Sequence, residues 1–78
     1  MTAIDQRIID GLRDAAIDYD MENFSPESSF RDNGIDSLDA MGLFLAIEEK
    51  HGVKFTTDEA EAIHTPAELS QALDRKLG

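Results

Sequence analysis

The spacing of the apolar residues constrains the fold more than any other feature, because they recur at three- and four-residue intervals along several stretches. In residues 2–19 they are separated by Asp and Arg, which predicts an amphipathic helix with one buried face. Gly11 weakens this helix by about 1 kcal/mol relative to alanine but does not break it. The apolar positions of this stretch are Ile4, Ile8, Leu12, Ala15, Ala16 and Tyr19.

The period is lost in residues 20–35, which collect Ser, Pro, Asn and Gly. This composition is typical of a loop. A loop of this length is unusual in a compact domain unless it is anchored or functional. We expect Phe24, Phe30 and Ile35 to anchor it to the core.

The helical period resumes in residues 37–50, and Gly52 is placed to cap the C-terminal end of this second helix. A short third helix is predicted in the segment TTDEAEAI, with Thr57 as its N-cap and acidic residues in its first turn.

The last helix has the clearest signal, because Thr65 can cap it, Pro66 suits its first position and Glu68 completes a capping box. Its apolar stripe consists of Leu69, Leu73 and Leu77, and Arg75 and Lys76 suit its C-terminal dipole. The sequence therefore predicts an all-α fold, a small four-helix bundle with three longer helices and one short helix. A long loop joins the first two helices.

Residues 1–78 are expected to form a single domain, whose core supplies only about 3–5 kcal/mol of net stability. The chain has no cysteine, which excludes disulfides and thiolate metal sites. Any thiol chemistry must therefore come from a cofactor. No signal peptide or membrane-spanning stretch is recognisable, so we expect a cytoplasmic protein that does not insert into membranes.

Charge restricts the partners, since seventeen acidic and seven basic side chains give a formal net charge of −10. Such a chain is repelled by nucleic acid and by anionic lipid, and it is attracted to proteins with basic patches. The 41% content of hydrophobic residues at helical spacing favours a folded domain over a disordered one. We expect a monomer.

Ser37 stands between acids in the segment NGIDSLDAMGLF and can be a nucleophile, a helix-capping residue or an attachment point. A serine nucleophile needs a base and a third group that orients the base, but the only histidines lie in or beside helix ends. The glycines that flank the serine of a nucleophile elbow are also missing, so the nucleophile reading is poor. The local pattern favours capping by Asp36, with Ser37 in the first helical turn. Capping and attachment are compatible, because a phosphate esterified there lies near unpaired N–H groups and the positive end of the helix dipole.

The segment GIDSLDAMGLFLAIEEKHGVKF resembles the acyl carrier protein family, whose hallmark is Asp-Ser-Leu at the start of the second helix. The resemblance extends over essentially the whole chain, including its acidity and its order of helices. It implies that Ser37 carries 4′-phosphopantetheine from coenzyme A, on which acyl groups travel as thioesters. It also implies a carrier and not an enzyme, with no catalytic residues and no metal site of its own.

The same resemblance implies that a phosphopantetheinyl transferase attaches the arm and that Asp36 helps to organise this encounter near Mg²⁺. The further partners are acyl-loading and acyl-processing enzymes with basic patches, in fatty acid, polyketide or related acyl metabolism. Asp39 contributes charge to the recognised surface, or alternatively serves only in capping. Both readings stay open for Asp39.

The second helix is too apolar for one buried face. Leu43, Phe44 and Ile47 can face the bundle, whereas a different side of the helix bears Leu38, Met41 and Leu45. If this second set is exposed, it forms an apolar docking patch bordered by Glu48 and Glu49. The alternative is that all of these residues belong to the core.

Several residues depart from the usual pattern of the family: Gly42 replaces a frequent acid, Lys54 is basic, and His51 stands where a large apolar residue is common. We expect His51 to be a partly buried packing residue and His64 to be solvated. These departures favour a specialised carrier, so aminoacyl or peptidyl cargo remains an alternative to acyl cargo.

Two functions of other classes are alternatives to the carrier. The acidic segment DYDMENFSPESS fails as an EF-hand loop, because Asn23 replaces the glycine at its sixth position and Ser29 the glutamate at its twelfth. An unmodified acidic adaptor that docks through the second helix stays open, and modification of Ser37 discriminates between the adaptor and the carrier.

Overall fold

The computed structural model describes residues 5–78, which contain four helices and no strand. The helices are α1 (Gln6–Asp14), α2 (Ser37–His51), α3 (Thr57–Ala62) and α4 (Pro66–Leu77). With six residues α3 is the short one, so the predicted all-α bundle of three longer helices and one short helix is confirmed. None of the described helices combines the length and apolar character needed to cross a membrane.

The core draws apolar side chains from α1, α2 and α4 and from the loop between α1 and α2. Leu69 and Leu73 are fully buried, as predicted for α4, but Leu77 is 43% exposed. The predicted stripe is wrong at this last position, because the final turn of α4 extends past the core cluster. The buried apolar residues are Ile8, Leu12, Ile17, Phe30, Ile35, Leu43, Ile47, Leu69, Ala72 and Leu73.

α1 ends five residues earlier than the apolar spacing predicts. The N–H of Ala16 donates to the carbonyl of Arg13 and the N–H of Ile17 donates to that of Leu12, at 3.0 and 2.9 Å. This is a Schellman motif with Ala16 in the left-handed conformation, at φ 55°. The prediction failed because such a position is usually marked by Gly or Asn. Ile4, which was predicted to lie on the same helix face, is outside the described residues.

α1 and α2 pack closely at Gly11. A Cβ atom added there would lie 2.8 Å from Leu43 Cδ1 and 3.0 Å from Ile47 Cγ1. Glycine in the middle of α1 therefore has a packing reason, since it lets the backbone of α1 approach the buried face of α2. Leu43 and Ile47 are fully buried and Phe44 packs against the core, so their predicted orientation is confirmed.

α2 terminates as predicted, because Gly52 adopts the left-handed conformation at φ 68° and its N–H donates to the carbonyl of Glu48. His51, the last residue of the helix, is half-buried, as predicted. Its Nε2 atom is buried and has no hydrogen-bond partner among the described residues.

The caps of α3 and α4 are capping boxes. Thr65 and Glu68 form the box of α4 with Pro66 inside it, as predicted. In α3 the N-cap is Thr56 and not Thr57, so that prediction is wrong by one residue. Only Thr56 has a glutamate, Glu59, three positions later that can accept from its backbone N–H.

The long loop between α1 and α2 is held by a buried asparagine. The side-chain Nδ2 of Asn33 donates to the carbonyls of Ser25, Ser28 and Ser29, and its Oδ1 accepts from the N–H of Ser25. Asn33 is only 1% exposed, and these bonds pair its buried side-chain amide with backbone groups of the loop. The predicted anchors are confirmed, since Phe30 and Ile35 are buried and Phe24 is packed against the core.

Candidate functional site at the start of α2

A tight turn at residues 30–35 precedes α2. The N–H of Gly34 donates to the carbonyl of Arg31 and the N–H of Ile35 donates to that of Phe30, both at 2.9 Å. Gly34 has a φ of 82°, which a residue with a side chain rarely adopts. Ile35 is thereby buried, and the residue after next, Ser37, starts α2 at the surface.

Asp36 is the N-cap of α2, as predicted. Its Oδ1 accepts a hydrogen bond of 2.8 Å from the N–H of Asp39, three residues later. Ser37 is the first helical residue and is exposed. The N–H groups of Ser37 and Leu38 donate to no described residue, so the positive end of the helix dipole faces the space around the serine hydroxyl.

The surroundings of Ser37 hold no catalytic triad among residues 5–78. His64 lines a groove of about 200 Å³ together with Ser37, but no described side chain hydrogen-bonds to the Ser37 hydroxyl. The hydrogen bonds of His64 are made by its backbone, which donates to Glu68 and accepts from Phe30. A nucleophile needs both a base and a group that orients it. Within the same residues, no group of three or more His, Asp or Glu could hold a metal ion.

An apolar patch lies on the outer side of α2, next to Ser37. We call it the α2 patch, and it consists of Leu38, Met41 and Leu45, which are 78%, 61% and 58% exposed. The alternative that these residues belong to the core is therefore wrong. The patch is bordered by acidic side chains, of which Glu49 is exposed and Asp39 is half-buried.

Glu48 has a structural contact that the sequence did not reveal. Its Oε2 accepts a hydrogen bond of 2.7 Å from the N–H of Phe55, in the segment between α2 and α3. The side chain is half-buried and lines a groove beside Ser37. Glu48 therefore holds the chain that follows α2, in addition to bordering the α2 patch.

An open groove of about 570 Å³ runs between α2 and α3 and has Ser37 in its wall. We call it the α2–α3 groove. Its lining is mostly apolar and includes the small side chains of Ala40 and Ala60 and the aromatic residues Phe30, Phe44 and Phe55. Sequence reasoning missed this groove, because residues from three separate segments form it.

Most of the chain is similar in sequence to known proteins. A family model described as "Phosphopantetheine attachment site" matches residues 12–73. The acyl carrier protein of Picosynechococcus sp. is 34% identical in an alignment 79 residues long, which covers 96% of this chain and 98% of that protein. The acyl carrier protein of Thermosynechococcus vestitus is 36% identical over 62 residues, covering 78% of this chain and 76% of that protein. The chain therefore belongs to the acyl carrier protein family, whose members carry a 4′-phosphopantetheine group.

Proposed function

We propose that this protein carries acyl groups as thioesters on a 4′-phosphopantetheine arm attached to Ser37. It delivers them to enzymes of fatty acid, polyketide or related acyl metabolism. The observation that carries the proposal is the exposed serine at the first position of α2, within the residues matched by the phosphopantetheine attachment family. The chain has no cysteine, and the arm supplies the thiol that binds the cargo. The protein acts as a carrier and not as an enzyme.

The residues around Ser37 fit the phosphate of such an arm. The free N–H groups of Ser37 and Leu38 and the helix dipole stabilise negative charge at this position. Arg31 lines the smaller groove together with Ser37 and adds a positive charge close to the serine. Asp36 lines the same groove, and the hydrogen bond that its carboxylate accepts from the N–H of Asp39 holds the side chain in place.

Attachment requires a separate enzyme, a phosphopantetheinyl transferase that uses coenzyme A and Mg²⁺. No base contacts the Ser37 hydroxyl among the described residues, so we propose that the transferase removes its proton. Asp36 lies directly beside the serine and is assigned to recognition of the transferase and its metal ion. Asp36→Asn tests this role, because asparagine caps a helix as well as aspartate does and only the charge is lost. We expect slower attachment with unchanged stability, and an unchanged attachment rate would contradict the assignment.

Loading with the arm tests the attachment site. Incubation with coenzyme A, Mg²⁺ and a broad-specificity transferase should add one phosphopantetheinyl group, measured by intact mass. Ser37→Ala should abolish the addition while the protein stays folded. Ser29→Ala is the matched control, since Ser29 lines the same small groove, and it should leave loading intact. A mass gain that persists in Ser37→Ala would refute the assignment, and a chain that is never loaded would be an acidic adaptor.

We propose that partner enzymes dock on the α2 patch and its acidic border, and that Leu38, Asp39, Met41, Leu45, Glu48 and Glu49 form this surface. Desolvation of an exposed apolar side chain contributes up to about 1.5–3 kcal/mol, whereas an exposed ion pair contributes about 0–1 kcal/mol. The apolar residues should therefore determine mainly the dissociation rate, and the acids mainly the association rate and its salt dependence.

Binding kinetics with the transferase separate these roles. Met41→Ala should raise the dissociation rate, whereas Met21→Ala should not, although Met21 is 72% exposed in the loop. Glu49→Lys should lower the association rate and flatten its salt dependence more than Glu22→Lys, which changes the net charge equally. Glu49 is preferred to Glu48 here because Glu48 also holds the N–H of Phe55. Equal effects of the two methionine variants would contradict a localised docking site.

We further propose that residues 1–78 form one carrier domain, which acts as a monomer in the cytoplasm. The single apolar core shared by α1, α2, α4 and the long loop supports the first part of this proposal. Size-exclusion chromatography with light scattering measures the oligomeric state, and a dimer at micromolar concentration would contradict the second part.

A further inference from the structure

Two of the three methionines of the chain lie within the described residues, and both are exposed. Met21, in the loop between α1 and α2, is 72% exposed, and Met41, in α2, is 61% exposed. Methionine more commonly fills gaps in a protein core, where its sulfur is shielded from reagents in water. A thioether at the surface is instead open to oxidation, which converts it to the polar sulfoxide.

Met41 differs from Met21 in its position beside Ser37. It follows the serine by four residues, which places the two side chains one turn apart on the same side of α2. Both residues line the α2–α3 groove. Leu38 and Leu45 stand three residues before Met41 and four residues after it, so Met41 occupies the middle of the α2 patch. An enzyme that approaches Ser37 across this patch therefore covers the side chain of Met41.

The fold places little demand on the Met41 side chain. Met41 belongs neither to the buried core cluster nor to the partly buried apolar side chains packed against it. Addition of one oxygen atom to its sulfur should therefore leave the bundle folded. The chain also has no cysteine that would consume the oxidant first.

Hydrogen peroxide changes the polarity of this contact. The oxygen–oxygen bond breaks, one oxygen atom bonds to the sulfur of Met41, and the other leaves as water with both hydrogen atoms. The sulfur is thereby oxidised by two electrons and the peroxide is reduced. The sulfoxide oxygen is a hydrogen-bond acceptor, and an apolar partner surface that fits a thioether offers it no donor. Its burial on docking therefore costs free energy.

We propose that Met41 is an oxidation site, and that its conversion to the sulfoxide by peroxide reversibly weakens the docking of the enzymes that act at Ser37. The inference rests on the proposed function, because it concerns the surface through which those enzymes reach the arm. A methionine sulfoxide reductase reverses the change. Two thiols are then oxidised to a disulfide, the sulfoxide oxygen leaves as water, and the apolar thioether is restored.

The test uses the full chain before the arm is attached, so that no thiol of the carrier competes for the oxidant. The protein is treated with hydrogen peroxide, the peroxide is removed with catalase, and loading from coenzyme A by the transferase is measured by intact mass at several carrier concentrations. In the wild type, oxidation should raise the KM for the carrier about tenfold, with a much smaller change in kcat. Tm should stay the same, and the reductase with dithiothreitol should restore the original KM.

Two leucine variants locate the effect, because leucine is apolar and similar in size but has no sulfur. Each variant is compared with its own untreated sample, which removes any effect of the substitution itself. Peroxide should leave the KM of Met41→Leu unchanged, whereas Met21→Leu should show the same rise as the wild type.

Four results would overturn the inference: peroxide that oxidises Met21 but not Met41 in peptide masses, an unchanged wild-type KM once Met41 carries the sulfoxide, a rise in KM for Met41→Leu, or protection in Met21→Leu. A failure of the carrier proposal is distinct, because the untreated wild type would then gain no phosphopantetheinyl mass at Ser37.

Discussion

Two glycines lie inside helices of the bundle, and replacing each by alanine should change the stability differently. Gly11 is in α1 and Gly42 is in α2. Alanine is favoured over glycine in a helix interior by about 1 kcal/mol, which includes the lower entropy of the unfolded chain. This gain is common to both variants. Any difference between them therefore reports the space that surrounds each position in the folded protein.

The space differs at the two positions. At Gly42 a new methyl group would meet Ala15 Cβ at 3.9 Å, an ordinary van der Waals contact. Gly42→Ala should therefore stabilise the protein by about 1 kcal/mol. At Gly11 the methyl group would lie 2.8 Å from Leu43 Cδ1 and 3.0 Å from Ile47 Cγ1, and both side chains are fully buried. Overpacking of this kind costs about 1–3 kcal/mol, so Gly11→Ala should be neutral or destabilising by up to about 2 kcal/mol.

Urea unfolding followed by far-UV circular dichroism measures both free energies. The two variants should differ by about 1–3 kcal/mol, and Tm should shift by about 4–8 °C for each kcal/mol in a domain of this size. The dependence of the free energy on urea should stay the same, since neither change alters the surface exposed on unfolding by much. If Gly11→Ala stabilised the protein as much as Gly42→Ala, the close packing of α1 on α2 at Gly11 would be refuted.

Three other perturbations test the loop and the charges. Asn33→Asp should destabilise the fold by about 1–3 kcal/mol in urea unfolding, because the carbonyls of the loop lose their buried donor, whereas the same change at the exposed Asn23 should cost much less. The hydrogen bonds from the Arg7 guanidinium hold the pKa of Asp5 at about 2, below its ordinary 3.8. The ionised Asp5 therefore contributes about 2 kcal/mol to the free energy of unfolding above pH 4, and this contribution is lost as the pH falls towards 2. In Asp5→Asn the free energy of unfolding should fall less steeply on acidification. Finally, moderate salt should raise Tm, because residues 36–61 carry seven acids against two lysines; a Tm that falls would contradict mutual repulsion.

The sequence predicted those parts of the fold that depend on neighbouring residues. The N-cap at Asp36, the C-cap at Gly52 and the capping box at Thr65 were predicted correctly, because each cap is specified by side chains within a few positions. The end of α1 was missed, because Ala16 adopts a left-handed conformation without the glycine that usually marks it. The cap of α3 was missed by one residue, since Thr56 and Thr57 are both suitable and the partner glutamate decides between them.

Of the candidate site, too, the sequence predicted only the features that depend on residues close together in the chain. The exposure of Leu38, Met41 and Leu45 could be anticipated, because α2 has more apolar residues than one face can bury. The contacts around the α2–α3 groove could not be anticipated. Glu48 binds the backbone of Phe55, and Lys76 binds Glu59, which lies seventeen residues away in the sequence. Such contacts depend on how the helices pack, and apolar spacing along one helix carries no information about them.

The proposed function requires that the chain hold its cargo as a thioester on an arm at Ser37. The most direct measurement is the intact mass of the protein after a transferase has loaded it from an acyl-coenzyme A, before and after treatment with neutral hydroxylamine. We expect a gain of one acyl-phosphopantetheinyl group, from which hydroxylamine removes only the acyl group, and no gain in Ser37→Ala. An acyl mass that resists hydroxylamine, or one that persists in Ser37→Ala, would contradict it.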